Sequence, residues 1–281
     1  VTPLKDARPS AELPHIIDAH AHAFPDRIAS GAVAKLTAGA RWMPVRAVFD
    51  GTVAGLTAAM DRAGIGCALL CSVATRPEQT PKITDWSVAV ASDRIVPFAS
   101  VHPDCPDLDA QVDRVAAAGL KGLKFHPQYM NCALDDPRTL RIARRAAAAG
   151  LAMQVHAGYD LAYDRDDLAS PIAVRRLHEA VPDLRLLACH LGGWQRWDEV
   201  LRHVAGLPIY LETSYTLGQC PPRILEAILS RHPAERLLFG TDTPWADPAE
   251  QLARFQALPL SEAAQRAALW GNPRRFAGLD T

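Results

Sequence analysis

The residues best equipped for chemistry in this chain are histidines, above all His20 and His22 in IIDAHAH. They stand two positions apart at the end of a short apolar run. On a strand that spacing puts both imidazoles on one face, where one metal ion can take them together. Partners follow as Lys124 and His126 in GLKGLKFHP, His156 in MQVHAG, His190 in LLACHLGG and Asp242 in LLFGTDTPW. Each sits where an apolar run gives way to glycine, proline or polar residues, and a barrel of parallel strands gathers its chemistry at such places. Imidazoles and a carboxylate suit Zn²⁺ or a similar divalent first-row ion with an open position for water. Water held there becomes a nucleophile near neutral pH. In that reading Asp242 relays its proton, and His190 polarises a carbonyl or orients the water.

Such a set needs elements that bring distant segments to one rim. β-branched, apolar runs predict strands near 15–20, 65–73, 95–102, 120–126, 151–157, 184–190, 208–214 and 236–242. Amphipathic or alanine-rich stretches predict helices near 52–63, 81–93, 107–118, 136–149, 170–181, 194–205, 221–231, 247–257 and 261–270. Asp136-Pro137 and Ser170-Pro171 read as helix starts, and Gly64, Gly119 and Gly150 as helix stops. Eight rounds of strand and helix predict a closed (β/α)₈ barrel, an α/β fold, in a single domain over 1–281. An open doubly wound sheet would bring a glycine-rich turn after its first strand, and here that turn reads HAFPDR. Residues 1–14 read as an extended tail. The long connection 23–51, with Arg41, Trp42, Arg46 and Phe49, reads as an active-site lid.

Six of the ten histidines, His20, His22, His102, His126, His156 and His190, fall at predicted C-terminal strand ends. His15 falls at the opposite end of the first strand, and His178, His203 and His232 fall in helices, where solvated side chains are expected. Cys67 and Cys71 share a strand face as buried free thiols, while Cys189 is expected to point away from the barrel centre, opposite to His190. Glu212 and Ser214 share a face on the seventh strand, and the pattern leaves open whether that face is the inner one.

A formal net charge of −1 gives no field for nucleic acid or anionic membranes. No apolar run approaches the roughly 20 residues of a membrane span. The expected partner is a small-molecule substrate and the expected location cytoplasmic, with a homo-oligomer left open.

In chain order DAHAH, LKFHP, VHAG, CHLGG, GTDTPW and the closing GNPRRFAGL resemble the amidohydrolase superfamily, in particular the amidohydrolase 2 branch of aminocarboxymuconate-semialdehyde decarboxylase-like hydrolases. The resemblance implies His20, His22, His156 and Asp242 as metal ligands, with Asp242 also the proton shuttle and His190 a catalytic group beside the metal. It favours one metal ion, for which the donor set suggests Zn²⁺. Other branches, with a carboxylated lysine at the position of Lys124, would hold two. His126, Lys124 and Trp245 are expected to meet substrate. The leading expectation is hydrolysis of a small amide, ester or lactone; the alternative is non-oxidative decarboxylation of an unsaturated or aromatic acid, with Arg41, Arg46 and Arg76 as candidate carboxylate anchors. A silent binding barrel would predict erosion of the metal set, and a nuclease would want a basic stripe.

Overall fold

A computed structural model describes residues 16–279; the expected tail over 1–14 and His15 lie outside the described residues. In chain order the elements are β1 (Ile17–Ala21), α1 (Asp26–Gly39), α2 (Val53–Ala63), β2 (Cys67–Cys71), α3 (Thr80–Val90), β3 (Ile95–Ala99), α4 (Leu108–Ala117), β4 (Gly122–Phe125), α5 (Pro127–Met130), α6 (Pro137–Ala148) and β5 (Ala152–Val155). There follow α7 (Pro171–Ala180), β6 (Leu186–Ala188), α8 (Trp197–His203), β7 (Tyr210–Glu212), α9 (Pro222–Arg231), β8 (Leu237–Leu238), α10 (Pro248–Gln256), α11 (Glu262–Arg266) and α12 (Asn272–Ala277). The strands pair in parallel and in sequence order. Backbone bonds from Ala19 N–H to Phe239 O (2.9 Å) and from Asp242 N–H to His20 O (2.8 Å) bring the last strand against the first. The result is the (β/α)₈ barrel that the alternating pattern predicts.

The helix signals work as capping chemistry requires. Asp136 accepts from Arg138 N–H and Ser170 from Ala173 N–H at the starts of α6 and α7. Gly64 ends α2 in the left-handed region, at φ +69°. Helix α1 inside the expected lid has no such signal, since Pro25 precedes it without a capping side chain and Ala29 is its one fully buried residue.

Inside the barrel Ile17, Leu69, Phe98, Leu187 and Leu238 form an apolar floor, and the Phe276 ring stacks beneath Phe98 at 5.6 Å. Above the floor the interior turns polar with Lys124, Gln154, Cys189 and Glu212, all buried. Helices pack outside on a second core that includes Leu56, Met60, Val112, Ile142 and Leu177. All six cysteines are free and buried. His232, expected in solvent, is buried at the end of α9 and accepts the Gly206 N–H at 3.4 Å. Among the described residues no helix is long and apolar enough to cross a membrane.

Candidate metal centre

Two departures from regular strand geometry aim the imidazoles. In β1 the pairing with β2 shifts between Asp18 and Ala21, so Ala19 joins the inner cluster while Ala21 joins the helix-side core. Such an irregularity re-aims the residues beside it, and here His20 and His22 both turn into the mouth. Asp18 secures the seam, accepting from His20 N–H (3.0 Å), Thr241 N–H (2.9 Å) and the Thr241 hydroxyl (2.6 Å). Burial pushes its carboxyl up to about 7 against the pull of those donors.

The second departure is at β6. Strand alternation predicts Cys189 outward when His190 is inward, but Cys189 Sγ accepts from Lys124 Nζ at 3.1 Å inside the barrel. The strand has ended at Ala188, and His190 and Leu191 adopt left-handed φ of +57° and +56°, so alternation no longer applies. Asp242 is left-handed too, at φ +64°. Non-glycine residues pay roughly 1–3 kcal/mol for such conformations, and the cost persists where surrounding contacts enforce it. Here those contacts include His190 N–H donating to Glu212 Oε1 (2.9 Å) and Asp242 N–H donating to His20 O (2.8 Å).

The ring contacts set out a consistent proton inventory. His20 Nδ1 lies 3.0 Å from Glu212 Oε1, His22 Nδ1 2.8 Å from Cys71 O, His190 Nδ1 3.1 Å from Ser214 O and His156 Nε2 3.1 Å from Tyr159 O. Carbonyls and carboxylates only accept, so each of these outer nitrogens carries the proton. In a neutral ring the other nitrogen then presents a lone pair. These inner nitrogens face one another in pairs: His20 Nε2 with His22 Nε2 at 3.1 Å, and His156 Nδ1 with His190 Nε2 at 3.0 Å. Asp242 Oδ1 joins the first pair at 3.4 and 3.2 Å. Facing lone pairs repel unless a cation lies between them.

A first-row ion about 2.1 Å from each donor sets ligand separations of roughly 3.0 Å at right angles and roughly 3.4 Å at the tetrahedral angle. The His20, His22 and Asp242 separations fit that range, so these residues suit a metal. Burial, reinforced by the Lys124 ammonium, holds His20 well below the usual imidazole range and hence neutral. Burial likewise holds His156 low, helped by His126 and His190. Burial alone would raise Asp242; positive charge placed among His20, His22 and His190 draws it down and keeps the carboxylate ionised.

The other expected residues surround this cluster. His156 lies on the opposite wall, paired with His190 rather than within the His20, His22 and Asp242 group. Lys124 Nζ lies 2.9 Å from His20 Nε2. The His126 ring stacks on His156 at 4.0 Å and faces the Asp160 carboxylate at 3.3 Å. Trp245 and Arg76 line the cavity; Arg76 also pairs with Glu78. Arg41 pairs with Asp164 instead, and neither it nor Arg46 is among the lining residues. His102 accepts the Asp104 N–H and stands outside the cavity.

Glu212 and Ser214 face inward, which the sequence pattern left open. Glu212 accepts from His20, His190 N–H, Ser214 N–H and the Ser214 hydroxyl, so one carboxylate orients both halves of the site. Gly240 admits it, because a Cβ there would collide with Glu212 Oε2. Sequence reasoning missed Asp160, which follows the VHAG loop, and Asp18, whose only signal is its place in DAHAH.

A cavity of about 1090 Å³ opens above these groups, lined by Tyr159, Trp194, Tyr215 and Trp245 and by residues of the 23–51 segment such as Phe24, Leu36 and Val45. Trp42 of that segment packs on Tyr159 and Trp194, with ring centroids 5.5 and 5.8 Å apart.

Barrel, seam and inward-facing imidazoles define an enzyme of the amidohydrolase superfamily. The chain belongs to the amidohydrolase family (Amidohydro_2), whose family model matches residues 17–279. No curated protein matches it in sequence. Among solved structures it is similar to 5-carboxyvanillate decarboxylase from Sphingomonas paucimobilis, with 17% identity, a TM-score of 0.69 and coverage of 94% of this chain and 99% of that one. It is also similar to dihydroxybenzoic acid decarboxylase from Polaromonas sp. JS666, a structure with bound manganese and the inhibitor 2-nitroresorcinol (15% identity, TM-score 0.67, coverage 95% and 97%). A third is 2,6-dihydroxybenzoate decarboxylase complexed with 2,6-dihydroxybenzoate (15% identity, TM-score 0.64, coverage 94% and 98%). At these identities the likeness establishes the shared fold.

Proposed function

We propose that the protein is a metal-dependent non-oxidative decarboxylase of an unsaturated or aromatic carboxylic acid. The observation that carries the reading is the convergence of His20, His22 and Asp242 donor atoms within 3.4 Å beneath a cavity with flat aromatic walls. The similar structures named for decarboxylation of aromatic acids support it over hydrolysis, the first expectation from the sequence. His20, His22 and Asp242 would hold one divalent ion, with His156 offering Nδ1 from the facing wall. Zinc and manganese both suit nitrogen and carboxylate donors, and one of the similar structures contains manganese. When bound, the ion supplies Lewis-acid binding and orientation of the substrate carboxylate.

The protein's own groups do the rest. Trp245 and the other aromatic walls hold the planar acid, His126 and Lys124 border it, and the 23–51 segment acts as lid. With His156 Nδ1 given to the ion, the reactive proton sits on His190 Nε2, where the ionised Asp242 stabilises it. As the bond to the carboxyl carbon breaks, its electron pair stays on the substrate carbon and takes that proton from His190. CO₂ leaves, and water restores the proton.

The test loads the protein with Mn²⁺ or Zn²⁺, offers hydroxybenzoates and pyrone lactones, and measures CO₂ against ring opening. We expect one CO₂ per acid consumed, and a His20→Ala/His22→Ala double variant that folds, binds no metal and loses at least about a thousandfold in turnover. Ring opening without CO₂ would return the reading to hydrolysis. Full turnover by the metal-free double variant would end both.

A further inference from the structure

Helix α1 turns its apolar stripe toward the catalytic cavity instead of the protein core. Ile28, Ala32 and Leu36 recur every four residues and line the cavity, with Ile83 and Trp86 of α3 lining it as well. Ile28 remains 43% exposed, although the opposite side of the helix has solvent to face. Around the same cleft stand three cations, Arg27 and Lys35 on α1 and Lys82 on α3. All three are exposed, and none has a carboxylate or hydrogen-bond partner among the described residues. Arg138, Arg141 and Arg175 pair with Asp104, Asp109 and Glu179, whereas Arg144, Arg202 and Arg223 have no such partner among the described residues; what distinguishes Arg27, Lys35 and Lys82 is that they line the cavity. The cleft is continuous with the metal centre, and the whole cavity, about 1090 Å³, is the size that encloses a drug-sized ligand rather than one ring.

We infer that the α1–α3 cleft is a second substrate subsite, and that the substrate is an elongated diacid. One carboxylate meets the metal centre, an apolar body lies along Ile28, Ala32 and Leu36, and a distal anionic group sits among Arg27, Lys35 and Lys82. The inference rests on the proposed function for the proximal carboxylate only. Unpaired cations beside an apolar wall cost little in water and bind an anion whose body has already displaced that water. Arg27→Gln/Lys35→Gln/Lys82→Gln therefore acts on the distal group and leaves the metal donors intact.

The experiment measures dissociation constants on Mn²⁺-loaded protein for benzoate, biphenyl-4-carboxylate, terephthalate and biphenyl-4,4′-dicarboxylate, by calorimetry at low and high salt. We expect at least one diacid to bind about tenfold tighter than the monoacid of its length, a preference that salt erodes and the triple variant reduces to within about twofold. Benzoate affinity should be the same in both proteins. Equal affinity for diacids and monoacids, a preference that survives in the triple variant, or no binding of either biphenyl acid would overturn the inference. The outcomes separate it from the decarboxylase reading: a diacid preference without CO₂ release from any acid sinks that reading alone, and CO₂ release without diacid preference sinks the subsite alone.

Discussion

The seam between α4 and α6 and the cleft between α1 and α3 use the same residue types to opposite ends. Along α6, Arg138, Arg141 and Arg145 recur at three- and four-residue spacing, and each meets a carboxylate on or just before α4: Asp104, Asp109 and Asp113. Arg114 continues the row to Asp85 on α3. In the α1–α3 cleft Arg27, Lys35 and Lys82 face a cavity with no such partners among the described residues. Paired charges on exposed helices set the register of neighbours and add little stability, because water screens them. Unpaired charges beside an apolar cavity do nothing for the fold and are available to a ligand. The contrast separates charges that set how neighbouring helices line up from charges left open to a ligand, which composition alone cannot do.

The contrast is sharpest where a charge is buried and shared, so Glu212 should give the largest effect. Glu212→Gln keeps the shape but weakens the bond that orients His20, and metal affinity should fall about 10- to 100-fold, as measured by competition with a chelator. Unchanged affinity would show that the His20 ring needs no such support. A second substitution asks whether burial, rather than position near the mouth, is what matters. His232 lies in the outer layer, and burial pushes its imidazole down to about 4. Between that value and the unfolded value near 6.5 the unfolded chain binds the extra proton, so stability rises with pH across this window, by about 3 kcal/mol from this group. His232→Gln should flatten the rise in urea unfolding between pH 4 and pH 6.5; the same slope in the variant would mean the folded protein admits the charged ring. The smallest effect belongs to the seam. Asp109→Asn/Asp113→Asn should move the melting temperature by no more than about 2 °C and leave metal and acid binding untouched. A large loss of stability there would break the comparison.

Much of the inward-facing cluster was legible because each of its histidines and Asp242 ends an apolar run, and a parallel barrel brings all such ends to one rim. The aim of each ring was less legible. Alternation places Cys189 outward, yet the chain leaves the strand at Ala188 and turns left-handed, so Cys189 and His190 both enter the barrel. Helix α1 was hidden for a related reason. Its apolar stripe is only three residues long and faces a cavity, so the stretch from Ala23 to Gly51 reads as a loop, and Arg41 and Arg46 stand out in it where Arg27 and Lys35 do the lining.

By itself the sequence determined the barrel and put forward His20, His22, His156, His190 and Asp242 as candidates at one rim, because strand and helix periodicity and terminal glycines and prolines are local signals. Only the tertiary structure decided which nitrogens face inward, that Glu212 ties His20 to His190, and that Arg27, Lys35 and Lys82 line one cleft. Those facts depend on hydrogen-bond partners and empty space supplied by distant segments, as with His20 and Glu212, 192 residues apart, and no local pattern encodes them.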